Sequence, residues 1–251
     1  MKDKKNKITG LIAAAVSIVC LIVLWTAGSL ADKDGLYPSV SETLTTAFTL
    51  WGDAVFYGAL FSTLLRSFIA FLCSFILAFI VAYCEKKWIF ARGFFRPIIA
   101  VIRALPTIAV VLLLAFWTDS YVAPVIVTSL VVFPMLVTNV KETLESVTDE
   151  QLIMCKAFNV KPRDVMVKVR LPQIAPGLLQ AVGAGLSLNL KLMVAAEVLA
   201  HTAKSIGYYL NLASIYDKLP VMTALVLSVV IIGLLTEGLF NFLSARVSKW
   251  K

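Results

Sequence analysis

Charged and polar residues stand inside long apolar stretches of the sequence, and five of them are the groups best placed to handle a polar solute. They are Arg66, Arg103, Asn189, Lys191 and Glu197. A charge at the centre of a bilayer costs at least about 2.5–3.5 kcal/mol, so the ionisable members must face protein, water or a membrane interface. Such residues are typical of pathways for solutes or ions. We therefore take all five as candidate residues of a translocation pathway.

Other interpretations of these charges stay open at this point. Arg66 and Arg103 could reach a membrane interface or pair with an acid. Lys191 and Glu197 are six residues apart, which is about 240° around a helix, so we do not expect them to pair with each other. At least one of the two then needs a partner elsewhere, and a water-filled pathway would supply its solvation.

A stripe of small residues lies earlier in the same apolar stretch. Gly177, Ala181 and Gly185 recur every four residues, which lets another helix approach closely. Packing within the chain explains this stripe as well as packing against a second copy does.

The motifs of several enzyme classes are missing from the sequence. It has no G-x-x-x-x-G-K-[ST] sequence for nucleotide phosphates and no H-E-x-x-H sequence for zinc. The single histidine, His201, lies beside the predicted end of an apolar segment, and no C-x-x-C pair occurs among the four cysteines. We therefore predict no catalytic residue, no metal site and no cofactor bound by this chain.

The composition indicates an all-α membrane protein. Of the 251 residues, 60% are hydrophobic, whereas soluble chains carry about 45–50%. Runs of about 20 apolar residues have the length of a membrane-spanning helix. We predict one transmembrane domain over 1–251, with Pro124 and Pro134 as kinks in the fourth span and with six spans at approximately 9–30, 60–83, 97–116, 122–140, 178–199 and 220–243.

Each of two segments at the start of the chain can be interpreted in two ways. The lysine-rich start and first apolar run resemble a signal peptide, but the run is longer than the usual 7–15-residue core, so we take it as a span. Ser39 and Glu42 have the spacing of a capping box before a short amphipathic helix within 40–57. That helix would lie on the membrane surface or serve as an ordinary connector.

The distribution of basic residues predicts the orientation. Six spans place both termini and the connection at 148–177 on the same side. Of the 23 lysines and arginines, only Lys33, Lys204 and Lys218 fall on the other side, and three more lie within spans. Because cytoplasmic segments are enriched in these residues, we predict that both termini and this connection are cytoplasmic. The net charge of +8 then needs no nucleic-acid partner.

The connection at 148–177 is too patterned for a plain linker. Residues 153–158 favour a short helix, and Asn159 tolerates the left-handed conformation that ends one. Pro162 suits the first turn of a second helix, which we expect to end near Arg170 because Leu171 precedes Pro172. The product is a helix–turn–helix whose first helix carries an apolar face formed by Ile153, Met154, Ala157 and Phe158.

The second half of this connection resembles a known motif. Asn159, nine further residues and Val169-Arg170-Leu171-Pro172 have the spacing of the cytoplasmic "EAA" loop of binding-protein-dependent ABC importer permeases. The head is degenerate: Ile153, Met154 and Cys155 stand in the place of Glu-Ala-Ala, and Asn159 replaces Gly. Later residues resemble the branch that carries nitrate, alkanesulfonates, taurine and thiamine precursors: Lys191, Ala196-Glu197, Ile206-Gly207, Ile232-Gly233 and the tail 246–250.

This resemblance implies a fold, partners and a location. The fold would be that of a type I ABC importer permease, and the protein a homodimer in the bacterial inner membrane. Its partners would be two ATPase subunits, which hold the ATP and magnesium, and an extracytoplasmic binding protein that delivers a small, often anionic solute. The ATPase would dock on Ile153, Met154, Ala157, Phe158, Asn159, Leu171 and Pro172.

Two other classes are weaker interpretations. An ion-coupled secondary transporter or channel would use Lys191 and Glu197 as coupling groups, but the chain shows no internal repeat and the patterned connection would have no explanation. A membrane-embedded enzyme would need a catalytic cluster, which the sequence lacks.

Overall fold

The chain is helical along nearly all of its length, which confirms the all-α prediction. The computed structural model describes residues 2–32, 36–147 and 149–248, and no strand occurs within those ranges. The prediction for residue 148 lies outside the described residues. The helices are α1 (Lys2–Ala31), α2 (Val40–Trp51), α3 (Ala54–Lys87), α4 (Ile89–Ala104), α5 (Thr107–Trp117), α6 (Ala123–Glu145), α7 (Asp149–Ala157), α8 (Pro162–Asp164), α9 (Leu171–Leu199), α10 (Ile206–Ile215) and α11 (Leu219–Ser248). A π-helical segment, Val165–Arg170, joins α8 to α9.

Four helical stretches are long and apolar enough to cross a membrane. They are Ala54–Lys87, Ala123–Ala157, Pro162–Leu199 and Leu219–Ser248, and the bent pair α4 and α5 makes a fifth if it is counted as one span. Within the described part of α1, the apolar portion is the shorter Ala15–Ala31. The membrane class of the protein follows from these stretches, whereas the count of six spans stays a prediction.

The third span is not the single helix predicted over 97–116. α4 begins at Ile89 and carries Pro97 inside it, and the chain bends by 90° between α4 and α5. The bend falls at Leu105 and Pro106, which have extended ψ angles of 129° and 108°. The residue before a proline is disfavoured in helical geometry, and here that restriction ends the helix.

Pro124 does not kink the fourth span as predicted. It lies in the first turn of α6, where its missing N–H would have no partner within the helix. Pro134 lies inside the helix.

The chain divides into two compact units. The first comprises Met1–Phe56 and Leu210–Ser228. In it, α2 begins with the predicted capping box: the Ser39 hydroxyl accepts from the Glu42 N–H (3.2 Å), and the Glu42 carboxylate accepts from the Ser39 N–H (3.0 Å). The hydrogen bond from the Ser39 backbone N–H, together with the Ser39 side chain, lowers the pKa of the Glu42 carboxyl. The Trp51 indole N–H donates to the Ser228 hydroxyl (3.0 Å), so α2 packs on the start of α11.

The second unit, Tyr57–Tyr209 with Val229–Lys251, contains the main core. The small-residue stripe of α9 lies in it. A Cβ added at Gly185 would come within 2.8 Å of the Phe71 ring and 2.9 Å of the Leu136 side chain, and one at Gly177 would meet Thr143 at 2.8 Å. Those two glycines therefore let α9 approach helices of the same chain closely.

Candidate functional site

Residues 149–170, which we call the helical hairpin, form the predicted helix–turn–helix. α7 ends at Ala157, and Asn159, two residues later, has the left-handed conformation, at φ 51°. The Asn159 N–H donates to the Lys156 carbonyl (3.0 Å) and the Val160 N–H to the Cys155 carbonyl (2.9 Å). This pair of bonds is the Schellman motif, which satisfies carbonyls at the end of a helix. The conformational role predicted for Asn159 is confirmed.

The hairpin exposes a cluster of apolar side chains. Ile153, Met154 and Phe158 are 64%, 61% and 78% exposed, and Ala157 is exposed beside them. A groove of about 580 Å³ lies next to this cluster, between α7 and the following helical turns. Its lining is Leu152, Ile153, Cys155, Lys156, Val160, Pro162, Val165, Met166 and Arg170. Adjoining exposed apolar side chains of this kind are typical of a surface that binds a partner.

The second helix of the hairpin does not end at Arg170, contrary to the sequence prediction. Leu171 is helical (φ −57°, ψ −47°), and its N–H bonds to the carbonyl of Met166, five residues earlier. A proline in an ordinary helix clashes with the carbonyl four residues before it. In the π turn immediately before Pro172, the hydrogen bonds run to the carbonyl five residues earlier instead of four. The helix therefore continues past the proline. Leu171 and Pro172 are both exposed at this junction.

As a consequence, one helical run of 38 residues extends from Pro162 to Leu199. It joins the hairpin to Glu197 without a loop between them. A displacement of the hairpin can therefore be transmitted along α9 as motion of a helix, rather than being absorbed by a flexible connection.

Glu197, near the far end of α9, forms a buried ion pair with Arg66 of α3. One carboxylate oxygen, Oε1, accepts from Nε (2.9 Å) and Nη2 (2.7 Å) of the guanidinium. The other, Oε2, accepts from the Thr63 hydroxyl (2.9 Å) and from the Gly207 N–H (3.3 Å). Glu197 has no exposed surface, and its partner is Arg66. The helical spacing predicted only that Glu197 would not pair with Lys191.

The same group of residues holds the start of α10 against α3 and α9. The Thr63 hydroxyl accepts from the Ile206 N–H (3.0 Å), and a Cβ added at Gly207 would lie 2.4 Å from the Glu197 Cβ. Only glycine permits this approach. The ring of Tyr121 lies 5.8 Å from the Arg66 guanidinium carbon. Four hydrogen bonds satisfy the two oxygens of the Glu197 carboxylate, which indicates a structural anchor.

The burial of two predicted pathway residues corrects the sequence interpretation. Asn189 and Glu197 are both fully buried within the chain, so neither lines an open passage in this conformation. The Asn189 amide donates to the Ser67 carbonyl (2.6 Å) and hydroxyl (2.8 Å), which ties α9 to α3. Lys191, by contrast, is exposed, and no salt bridge to it occurs among the residues that the structure describes.

Arg103, the remaining candidate, is exposed in the last turn of α4 and lines an open groove of about 710 Å³ between α4 and α6. Its Nη2 donates to the Thr138 hydroxyl (2.5 Å) and to the Pro134 carbonyl (3.1 Å). The other side chains that line this groove were not predicted from the sequence, although Arg92, Arg96 and Arg103 have helical spacing. The charged and polar lining residues are Glu85, Arg92, Arg96, Arg103, Thr138, Lys141, Glu142 and Glu145.

The described residues contain no group of three or more His, Cys, Asp or Glu side chains arranged to hold a metal ion. Cys20, Cys73, Cys84 and Cys155 are free thiols.

Comparison with known proteins gives a consistent result. The family model described as "Binding-protein-dependent transport system inner membrane component" matches residues 70–249. A probable ABC transporter permease protein of Brucella abortus is 25% identical over 215 residues, which is 85% of this chain and 86% of the relative. The taurine transport system permease protein of Escherichia coli K12 is 24% identical over 239 residues, which is 92% of this chain and 86% of the relative.

Two solved structures share the fold. A chain of a methionine ABC transporter in an inward-facing conformation superposes with a TM-score of 0.60 at 19% identity, covering 75% of this chain and 94% of that one. A chain of a bacterial alginate ABC transporter, solved in complex with a periplasmic protein that holds an alginate pentasaccharide, gives a TM-score of 0.61 at 15% identity. That superposition covers 98% of this chain and 96% of the other.

Proposed function

Since the chain belongs to the family of binding-protein-dependent transport system inner membrane components, and is the permease component of an ABC importer, we propose that the helical hairpin is its docking site for a separate ATPase subunit. The observation that carries this proposal is the exposed apolar cluster of Ile153, Met154 and Phe158 at the end of α7. Aromatic and methionine side chains are enriched in protein interfaces, and Phe158 is the largest and most exposed member.

The basic residues around the cluster fit the polar rim of a protein interface. Lys156, Lys161, Arg163 and Lys168 are exposed on the hairpin, and Lys168 forms only a surface ion pair with Asp164 (3.0 Å). A polar, charged rim around an apolar centre is the usual anatomy of a protein interface. The adjoining groove between α7 and α8 could receive a side chain of that partner.

The continuous helix from Pro162 to Leu199 supports a mechanism for coupling. ATP binding can shift the permease only by stabilising one of its arrangements over the other. We propose that closure of two ATPase subunits displaces the hairpins of two permease copies, and that each α9 carries the displacement to the Arg66–Glu197 pair. ATP hydrolysis itself belongs to the partner, because this chain has no nucleotide-binding motif.

Orientation and solute complete the proposal. The permease would lie in the bacterial inner membrane as a homodimer, with both termini and the hairpin in the cytoplasm, as the basic residues predict. An extracytoplasmic binding protein would deliver a small, often anionic solute of the nitrate, sulfonate, taurine and thiamine-precursor class that the sequence resemblance implies. The similarity to a taurine permease supports that class at 24% identity.

Purification of the tagged full chain from its native membrane tests the proposal. We expect an ATPase subunit with a nucleotide-binding P-loop to co-purify in equal numbers with the permease, and to be lost from the Phe158→Ala variant. Ile215→Ala, which truncates a comparably exposed side chain outside the hairpin, is the matched control. A monodisperse preparation that retains no ATPase would contradict the proposal.

A further inference from the structure

Two ionisable residues inside candidate membrane spans, Lys191 of α9 and Glu237 of α11, have no partner of opposite charge. Each lies about two helical turns or more from the nearest end of its helix. Lys191 is exposed and Glu237 is half-buried. Among the described residues, neither has an oppositely charged group within salt-bridge distance. Ionisable residues at this depth are costly without a partner or water, and they are typically functional.

The helices that carry these two residues run antiparallel along a common seam. The Ser244 hydroxyl of α11 donates to the Pro176 carbonyl of α9 (2.9 Å). Further along, a Cβ added at Gly233 would lie 3.3 Å from the Ser187 hydroxyl oxygen. Positions therefore rise along α9 while they fall along α11.

Lys191 and Glu237 lie on the two sides of this seam. Lys191 follows Gly183 and Ser187 at intervals of four residues, and Glu237 follows Gly233 at the same interval, so each set shares one helix face. A Cβ added at Gly233 would lie 3.9 Å from the Lys191 Cε, so the end of the lysine side chain already reaches α11. The missing side chain at Gly233 leaves the space between the two charges open.

The two side chains lean toward each other. A side chain in an α-helix tilts toward the N-terminus of its own helix. Because the helices are antiparallel, Lys191 leans toward the hairpin end of α9, whereas Glu237 leans away from that end. Lys191 is four residues beyond Ser187 in one direction, and Glu237 is four residues beyond Gly233 in the other. At about 1.5 Å per residue, their Cα atoms are about 12 Å apart along the seam.

We propose that Lys191 and Glu237 form an ion pair across the seam when α9 moves toward its hairpin end, and that this pair is a latch for the shifted arrangement. Such a movement shortens the distance between the two charges directly. Pairing stabilises the shifted arrangement, because two opposite charges attract strongly where the surroundings have a low dielectric constant. In one respect this inference rests on the proposed function, in which the ATPase displaces the hairpin and with it α9.

Cross-linking in the permease alone tests the geometry. Cysteines replace Lys191 and Glu237 in the full chain without its four native thiols, in phosphatidylcholine nanodiscs, and a short bis-methanethiosulfonate joins them. The matched control combines Lys191→Cys with Leu235→Cys. Leu235 is 68% exposed, but it lies about 200° around α11 from Glu237. We expect at least tenfold more product within one chain for the first pair, as measured by mass spectrometry.

Equal yields for the two cysteine pairs, or product only between two copies of the chain, would overturn the inference. Trapping the ATPase-bound complex with ATP and orthovanadate should raise the yield of the first pair at least threefold over the nucleotide-free complex. A yield that stays the same or falls on trapping would overturn the latch.

A charge cycle tests the pairing itself through the ATP concentration that gives half-maximal trapping. Lys191→Met and Glu237→Gln should each raise this concentration at least threefold, because the shifted arrangement loses its ion pair. The double variant should lose no more than one single variant. The exchanged pair, Lys191→Glu with Glu237→Lys, should recover at least half of the loss. Additive losses or no recovery by the exchange would overturn the latch.

The matched control for the charge cycle is Lys218→Met, which neutralises an exposed lysine outside the seam and should trap as the wild type does. An equal loss in this control would also overturn the latch. Pull-down of the ATPase by each variant shows that the variant is folded.

The same assays separate this inference from the proposed function. Wild-type complex that traps nucleotide, while the charge cycle is additive, would refute the latch and leave ATPase docking on the hairpin standing. A permease that retains no ATPase would refute the proposed function. Cross-linking in the permease alone then decides the pair: an excess over the Leu235 control supports it, and an equal yield overturns it.

Discussion

Arg66 and Glu197 form a two-bond ion pair inside the helical bundle, with the guanidinium Nε and Nη2 at 2.9 and 2.7 Å from the same carboxylate oxygen. The arginine side chain is 13% exposed and the glutamate side chain is fully buried. The pair joins α3 to α9 at the opposite end of α9 from the hairpin. The charge that sequence reasoning placed in a solute pathway is therefore part of an internal anchor.

Breaking this ion pair should destabilise the protein strongly. Arg66→Met or Glu197→Gln leaves a buried partner without its counterpart, which costs about 3–5 kcal/mol. For a chain of this size we expect the Tm in detergent to fall by roughly 6 °C or more. The combined variant should lose less than the sum of the two, because it leaves neither charge unpaired. Single variants that unfold within a degree or two of the wild type would show that the pair is not an anchor.

Gly207→Ala should also destabilise the anchor. The new Cβ would lie 2.4 Å from the Glu197 Cβ and 2.7 Å from the Val198 nitrogen, so α10 would have to move away from α9. We expect a lower Tm and a lower yield of folded protein. Gly93→Ala is the control, because nothing lies within 4 Å of its added Cβ, and it should be neutral or more stable by about 0.5–1 kcal/mol. Equal thermal stability of the two variants would contradict this account of Gly207.

Phe158→Ala should release the ATPase and leave the membrane helices intact. Phe158 is 78% exposed, so its truncation removes little packing within the chain. Loss of an interface anchor of this kind costs more than about 2 kcal/mol, or some thirtyfold in affinity. Titration of the purified ATPase against the immobilised permease measures the change. Affinity within threefold of the wild type would place the docking surface elsewhere.

Asn159 should respond to substitution according to its backbone conformation. Asn159→Gly should keep ATPase binding, because glycine reaches a φ of 51° more easily than asparagine does. Asn159→Val should weaken binding as much as Phe158→Ala, because a β-branched residue resists this conformation and the Schellman bonds would be lost. The same titration is used, and normal binding by the valine variant would mean that the turn does not shape the docking surface.

Cysteine labelling should establish the orientation. In a background without Cys20, Cys73, Cys84 and Cys155, a cysteine placed at Lys161 should react with an impermeant maleimide only in permeabilised cells. A cysteine at Lys218 should react from outside. Removal of the native thiols is necessary because Cys155 lies on the hairpin itself. The reverse pattern would refute the cytoplasmic placement of the hairpin.

The local features of this chain could be predicted from its sequence. The helical class, the capping box at Ser39 and Glu42, the left-handed Asn159 and the apolar face of α7 all agree with the structure. Each of them depends on residues within about one helical turn, whose dihedral preferences and hydrogen bonds act whatever the rest of the fold does.

Other features depend on the tertiary structure. Arg66 and Glu197 are 131 residues apart, and their pairing depends on how α3 and α9 are positioned relative to each other. Two Leu-Pro steps behave differently: the helix breaks at Pro106, whereas at Pro172 a preceding π turn lets it continue. A proline excludes the backbone hydrogen bond to the carbonyl four residues earlier, but it does not determine whether the helix ends or continues through a π turn. That choice is made by the packing of the neighbouring helices, whose free energy exceeds the local preference of a single residue.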